Sequence, residues 1–91
     1  GGWVVRQFDQ PETGRGVIQA IRLPGSKQAT LTAYPRAFEP GTSYVFEEPE
    51  SGETKTTDGD ALTRDGFTFS LPPRSGALWF YQTRPNTGEG L

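Results

Sequence analysis

Carboxylates are the side chains of this sequence best placed by type and spacing to do chemistry. Asp9 and Glu12 flank the start of a Pro-Glu-Thr-Gly segment. Glycoside hydrolysis uses two carboxyl groups on either side of one bond. These two fall at a strand end and in a turn, where acids ordinarily solvate the turn and cap backbone amides. Glu47, Glu48, Glu50 and Glu53 surround a second turn, and Asp58, Asp60 and Asp65 a third. Calcium takes carboxylate and carbonyl oxygens, so either cluster could hold it weakly. Neither has EF-hand order, because no glutamate follows Gly66 at the required spacing. A solvated acidic surface is the commoner outcome, and no metal is expected.

Nucleophilic chemistry has less to work with. Ser26, Lys27 and Ser75 are present, but the chain has no histidine and no cysteine. No Ser-x-x-Lys or Gly-x-Ser-x-Gly signature occurs. Gly14-x-Gly16 lacks the third glycine and the strand-to-helix setting of a dinucleotide loop. No cofactor is implied, and no enzymatic activity is expected of this chain alone.

Sugar binding needs an open aromatic platform with polar groups at its rim. Trp3, Tyr34, Tyr44, Trp79 and Tyr81 are the aromatic candidates, and Trp79, Tyr81 and Trp3 are the ones singled out as carbohydrate-binding residues. Trp79 and Tyr81 share one face of a strand, opposite Leu78 and Phe80. Aromatic side chains also dominate ordinary cores. A surface that docks another domain competes with the sugar platform, because extended apolar patches mark interfaces.

The elements that position these residues follow from composition. The chain has 91 residues, room for one domain with a modest core. Without cysteine or histidine, neither disulfides nor a zinc site can reinforce it. Lack of cysteine leans toward a cytoplasmic setting without fixing the compartment. The net charge is −2 and the basic residues are scattered, so nucleic acid is not an expected partner. No apolar run approaches membrane-span length and no signal peptide opens the chain, so no membrane partner is expected either. The opening Gly1-Gly2, with no methionine anywhere, reads as a segment of a longer protein, and Gly1 reads as a tag remnant.

No stretch sustains the apolar spacing of a good helix. Short bursts of β-branched and aromatic residues read as seven strands: Trp3 to Asp9, Gly16 to Leu23, Ala29 to Pro35, Ser43 to Glu48, Glu53 to Thr57, Gly66 to Leu71 and Gly76 to Thr83. The first two carry apolar residues on both faces, as in a sheet covered on both sides. The fifth is polar and reads as an edge. Pro11-Glu12-Thr13-Gly14 and Pro49-Glu50-Ser51-Gly52 are turns, with glycine where φ must be positive. Asp58-Gly59 and Asp65-Gly66 read as further breakers, and Pro72-Pro73 as a loop. The expected fold is an all-β, antiparallel β-sandwich of about seven to eight short strands, spanning residues 1–84, with a polar tail at 85–91 that frays. Phe8, Ile21, Phe46, Leu62, Phe69, Leu78 and Phe80 are expected to be buried.

The order of these segments resembles a known module. "RQFDQPETGRGVIQAIRLP" is similar to the start of the C-terminal β-domain of family 36 glycoside hydrolases, the alpha-galactosidase type. The remaining elements follow as Phe38-Glu39-Pro40, Tyr44, Ser51-Gly52-Glu53, Gly59, Leu62, Gly66 and the strand from Ser75 to Tyr81. The resemblance spans nearly the whole chain and rests on turn and core residues; related domains occur in other retaining α-glycosidases. Ile21 departs from it, where the family often has Phe.

The resemblance implies a non-catalytic C-terminal accessory domain that stabilises or flanks a (β/α)8 catalytic domain of the same parent chain. It implies a glycoside hydrolase parent, a type commonest in bacteria. The family's catalytic aspartates lie in the barrel, so no catalytic residue carries over to this chain. Two alternatives stand beside this reading: an autonomous carbohydrate-binding module, and a free-standing β-sandwich interaction domain. The accessory reading requires a broad apolar patch on one sheet.

Overall fold

The computed structural model describes residues 2–84; the tail at 85–91 lies outside the described residues. Seven strands and one short helix follow in the order β1 (Trp3–Gln10), β2 (Arg15–Arg22), β3 (Thr30–Ala33), β4 (Ser43–Glu47), β5 (Thr54–Asp58), α1 (Gly59–Asp65), β6 (Phe67–Ser70) and β7 (Gly76–Thr83). A five-stranded sheet runs β1-β2-β7-β4-β5, and a two-stranded sheet pairs β3 with β6. All pairings are antiparallel. The fold is therefore the all-β sandwich expected from the sequence.

The turns form as their residues dictate. The β1–β2 hairpin closes through the amides of Thr13 and Gly14, which donate to the Gln10 carbonyl at 3.1 and 3.0 Å. Gly14 has φ +66°, the left-handed region that glycine enters without steric cost. In the β4–β5 hairpin Gly52 does the same at φ +76° and donates to the Glu48 carbonyl at 2.8 Å.

The core lies between the two sheets. Phe46 and Ile18 are fully buried, and Phe46 meets Phe67 and Tyr81 at ring-centroid distances of 4.7 and 5.4 Å. Phe67 and Phe69 present the inner face of the small sheet, as their alternation with Thr68 and Ser70 predicts. Phe38 enters from a loop and packs edge-on against Tyr44 and Tyr81, at 4.8 and 4.9 Å.

Two expectations need correction. The first concerns Asp58-Gly59, which begins a helix instead of breaking the chain into a loop. Asp58 caps that helix through a 2.8 Å bond accepted from the Ala61 amide, and Gly66 closes it by donating to the Leu62 carbonyl. The helix buries Leu62 as predicted. Its seven residues are too few to show a helical period in sequence.

The second concerns which face of the large sheet points inward. Phe46, Leu62 and Phe69 are buried as expected, but Phe8 is 62% exposed and Phe80 45% exposed. Ile21 and Leu78 are only half-buried. On β7 the inward residues are Trp79 and Tyr81, at 6% and 3% exposure. Parity does the rest, because residues two apart share a face. One change of facing on β7 moves Leu78 and Phe80 outward together, and pairing carries Phe8 and Ile21 with them.

Candidate functional site

Three features of the described residues bear on function: a polar network behind β7, a cleft beside its start, and the uncovered outer face of the large sheet.

The network is centred on Tyr81. Its hydroxyl donates to Asp9 Oδ1 at 2.6 Å and accepts from Gln7 Nε2 at 3.1 Å. Gln7 also clamps the backbone of Arg36: Nε2 donates to its carbonyl at 2.7 Å, and Oε1 accepts from its amide at 3.0 Å. Burial, and then the bond to Asp9, pushes the Tyr81 phenol well above its ordinary range. Asp9 therefore does not serve the turn beside it, as its sequence position suggested; it receives a proton donor from the far end of the chain. The network holds the loop after β3 against the sheet.

Two further acids are tied to backbone amides. Glu48 accepts the amides of Glu50 and Ser51 at 3.0 and 2.8 Å, and Asp60 accepts the amide of Gly41 at 3.1 Å. Hydrogen bonds from Ser51, then the Glu50 and Ser51 amides, hold the Glu48 carboxyl below its ordinary value. Among the described residues no three carboxylates converge to hold a metal ion.

The sugar-platform candidates do not form one surface. Tyr81 is enclosed by Phe38, Phe46 and Tyr44. Trp3 is half-buried two strands away from Trp79, pairs with Arg22, and donates its indole N–H to the Gln28 carbonyl at 3.1 Å. Trp79 shares the inner face of β7 with Tyr81 and lines a cleft of about 610 Å³. The shared outward platform expected of Trp79 and Tyr81 is thus corrected, because their face is the inner one.

The cleft has a simple origin. Strand β4 pairs with β7 only from Phe80 to Thr83, whereas β2 pairs with β7 from Gly76 onward. The chain turns away at Glu48, so among the described residues no strand lies beside Gly76 to Trp79 on the β4 side. Trp79, Phe69 and Leu78 give the cleft apolar walls, while Gln19, Ser70 and Lys55 bring polar groups. Lys55 pairs with the inward Phe46, and its ammonium lies 4.8 Å from the Trp79 ring centroid and 5.0 Å from that of Phe67. This is a cation–π arrangement.

On the outer face, cross-strand pairing aligns Phe8 with Val17 and Val17 with Phe80. A hollow of about 310 Å³ adjoins Phe80, between Arg15, Val45 and Glu47. Val4 and Ile21 pair at the other end of the same face. Among the described residues no element covers this face.

No family model matches the chain, and no curated protein does. Among solved structures, the galactosidase domain of the alpha-galactosidase-sucrose kinase AgaSK matches at a TM-score of 0.68 and 18% sequence identity. The match covers 92% of this chain and 12% of that one, so this chain spans about an eighth of the structure it resembles. At that identity the likeness is one of fold.

Sequence reasoning missed Lys55 and misplaced Phe8 and Phe80. Lys55 lay in a polar strand with no pattern to mark it. The Phe8–Phe80 relation was partly available, because the tight β1–β2 turn sets Phe8 opposite Val17.

Proposed function

We propose that this chain is a non-catalytic accessory domain of a multidomain glycoside hydrolase of the alpha-galactosidase type. It docks on a (β/α)8 catalytic domain of the same parent chain through the outer face of its five-stranded sheet. The observation that carries the proposal is the uncovered apolar row of Phe8, Val17 and Phe80. An antiparallel sheet that ends at water shows polar residues on that side. Two open phenylalanines in register instead fit a surface that another body covers.

The shared fold with part of a galactosidase domain supports the choice of parent, since the matching portion there belongs to a much larger chain. Arg15 and Glu47, beside the Phe80 hollow, supply a polar rim around the apolar centre, the usual anatomy of an interface. The acids whose partners have been described are tied to backbone amides or to Tyr81, which agrees with a supporting role.

The test is binding in trans. The chain and the remainder of its gene product, expressed as separate polypeptides, are expected to co-purify. The double variant F8S/F80S is expected to stay folded and lose that association. Equal retention of wild type and variant would overturn the outer face as the docking surface.

A further inference from the structure

The geometry points to a second, independent site: the cleft beside Gly76 to Trp79 binds a neutral oligosaccharide. This inference stands on the cleft alone and does not need the docking proposal.

The shape comes first. A volume of about 610 Å³ falls in the range of ordinary small-molecule sites. The cleft exists because one strand stops short, so sheet residues build part of it, with the β4–β5 turn from Glu48 to Glu53 as one wall. Sites on rigid elements hold their geometry.

The chemistry selects the ligand. A sugar ring has an apolar C–H face and hydroxyls that both donate and accept. The cleft offers the Trp79 indole for the first need. Gln19 and Ser70 both donate and accept, Lys55 donates and Glu53 accepts, which meets the second. The rim carries three carboxylates, Glu48, Glu50 and Glu53, against the one ammonium of Lys55, and Glu48 is committed to two turn amides. Such a rim rejects a polyanion.

Lys55 lies over the Trp79 indole, which also packs against Phe67 in the core. The flexible Lys55 stem lies on β5, and the ammonium sits over the indole. A sugar that stacks on Trp79 replaces this cation–π contact, and the displaced ammonium turns to the ring hydroxyls. Lys55 is an exposed side chain, so the movement needs no change in the core.

The experiment is a titration of the full chain with α-galactosides, α-glucans and β-glucans, read by tryptophan emission. Trp3 and Trp79 are the two tryptophans, so W3F isolates the cleft signal. The expected result is a saturable change with at least one sugar class, retained in W3F and weakened at least about 5-fold by Q19A. If circular dichroism shows W3F unfolded, Q19A and S70A in the wild-type background locate the site by the same loss. No change across the panel with folded protein overturns the proposal. So does a response that folded W3F abolishes, or one given by an extended peptide and by no sugar.

Discussion

The Tyr81 hydroxyl donates a 2.6 Å hydrogen bond to Asp9 across 72 positions of sequence. It joins β1 to β7 through the intervening β2, at the end of the sheet where the Pro-Glu-Thr-Gly turn sits. Y81F removes the donor and leaves Asp9 and Gln7 to water. The expected cost is about 1–2 kcal/mol, the low side for a bond to a charged group, because Asp9 is only half-buried. Chemical denaturation of the two proteins measures it.

The same bond gives a pH signature. The folded Tyr81 pKa is raised above the unfolded value of about 10. The contribution is therefore fully present below about pH 10 and is lost as pH rises toward the folded value. Thermal unfolding between pH 8 and 11 should show wild type losing stability above about pH 10, with a shallower decline in Y81F. Parallel curves would contradict the assignment.

Gly16 faces this network. A Cβ there would collide with the Tyr81 hydroxyl and Cζ. G16A is expected to cost about 1–3 kcal/mol, as overpacking does. Its cost should combine with that of Y81F to less than the sum, because both changes break one interaction. A double-mutant cycle reads this directly.

Strand positions along the chain and turn chemistry were legible because they are local. Pro11 to Gly14 and Pro49 to Gly52 announced two hairpins, and each hairpin fixed its own register. The facing of the large sheet was not legible, and the reason is specific. β2 and β7 carry apolar residues on both sides, so alternation could not say whether Trp79 or Phe80 pointed inward. That decision is made by the small sheet, where Phe67 fits against Phe46 and Trp79. The helix was hidden for another reason: its cap, Asp58, also reads as a turn residue. The cleft was invisible because it depends on where β4 stops relative to β7, a long-range register.

Facing has an energetic consequence. F46A should cost about 3–5 kcal/mol, since Phe46 is fully buried. F80A should cost at most about 1 kcal/mol, the worth of an exposed cross-strand pair. Urea midpoints of the two variants separate these values. A large loss in F80A would mean that the outer face is held within this chain.

The helix cap offers an independent check on the element the sequence concealed. D58A deletes the acceptor for the Ala61 amide. Loss of such a cap costs about 0.5–2 kcal/mol, and D58S should restore most of it. Thermal denaturation of the three proteins tests the order.

The central claim is that Phe8 and Phe80 form a docking surface for a catalytic domain of the same chain. The most direct measurement is the thermal stability and α-galactoside hydrolysis of the full gene product, wild type against F8S/F80S. The account predicts a hydrolase whose melting temperature and activity both fall in the variant, while the isolated 91-residue chain stays folded. A full product with no galactosidase activity, or one indifferent to the substitutions, would contradict it.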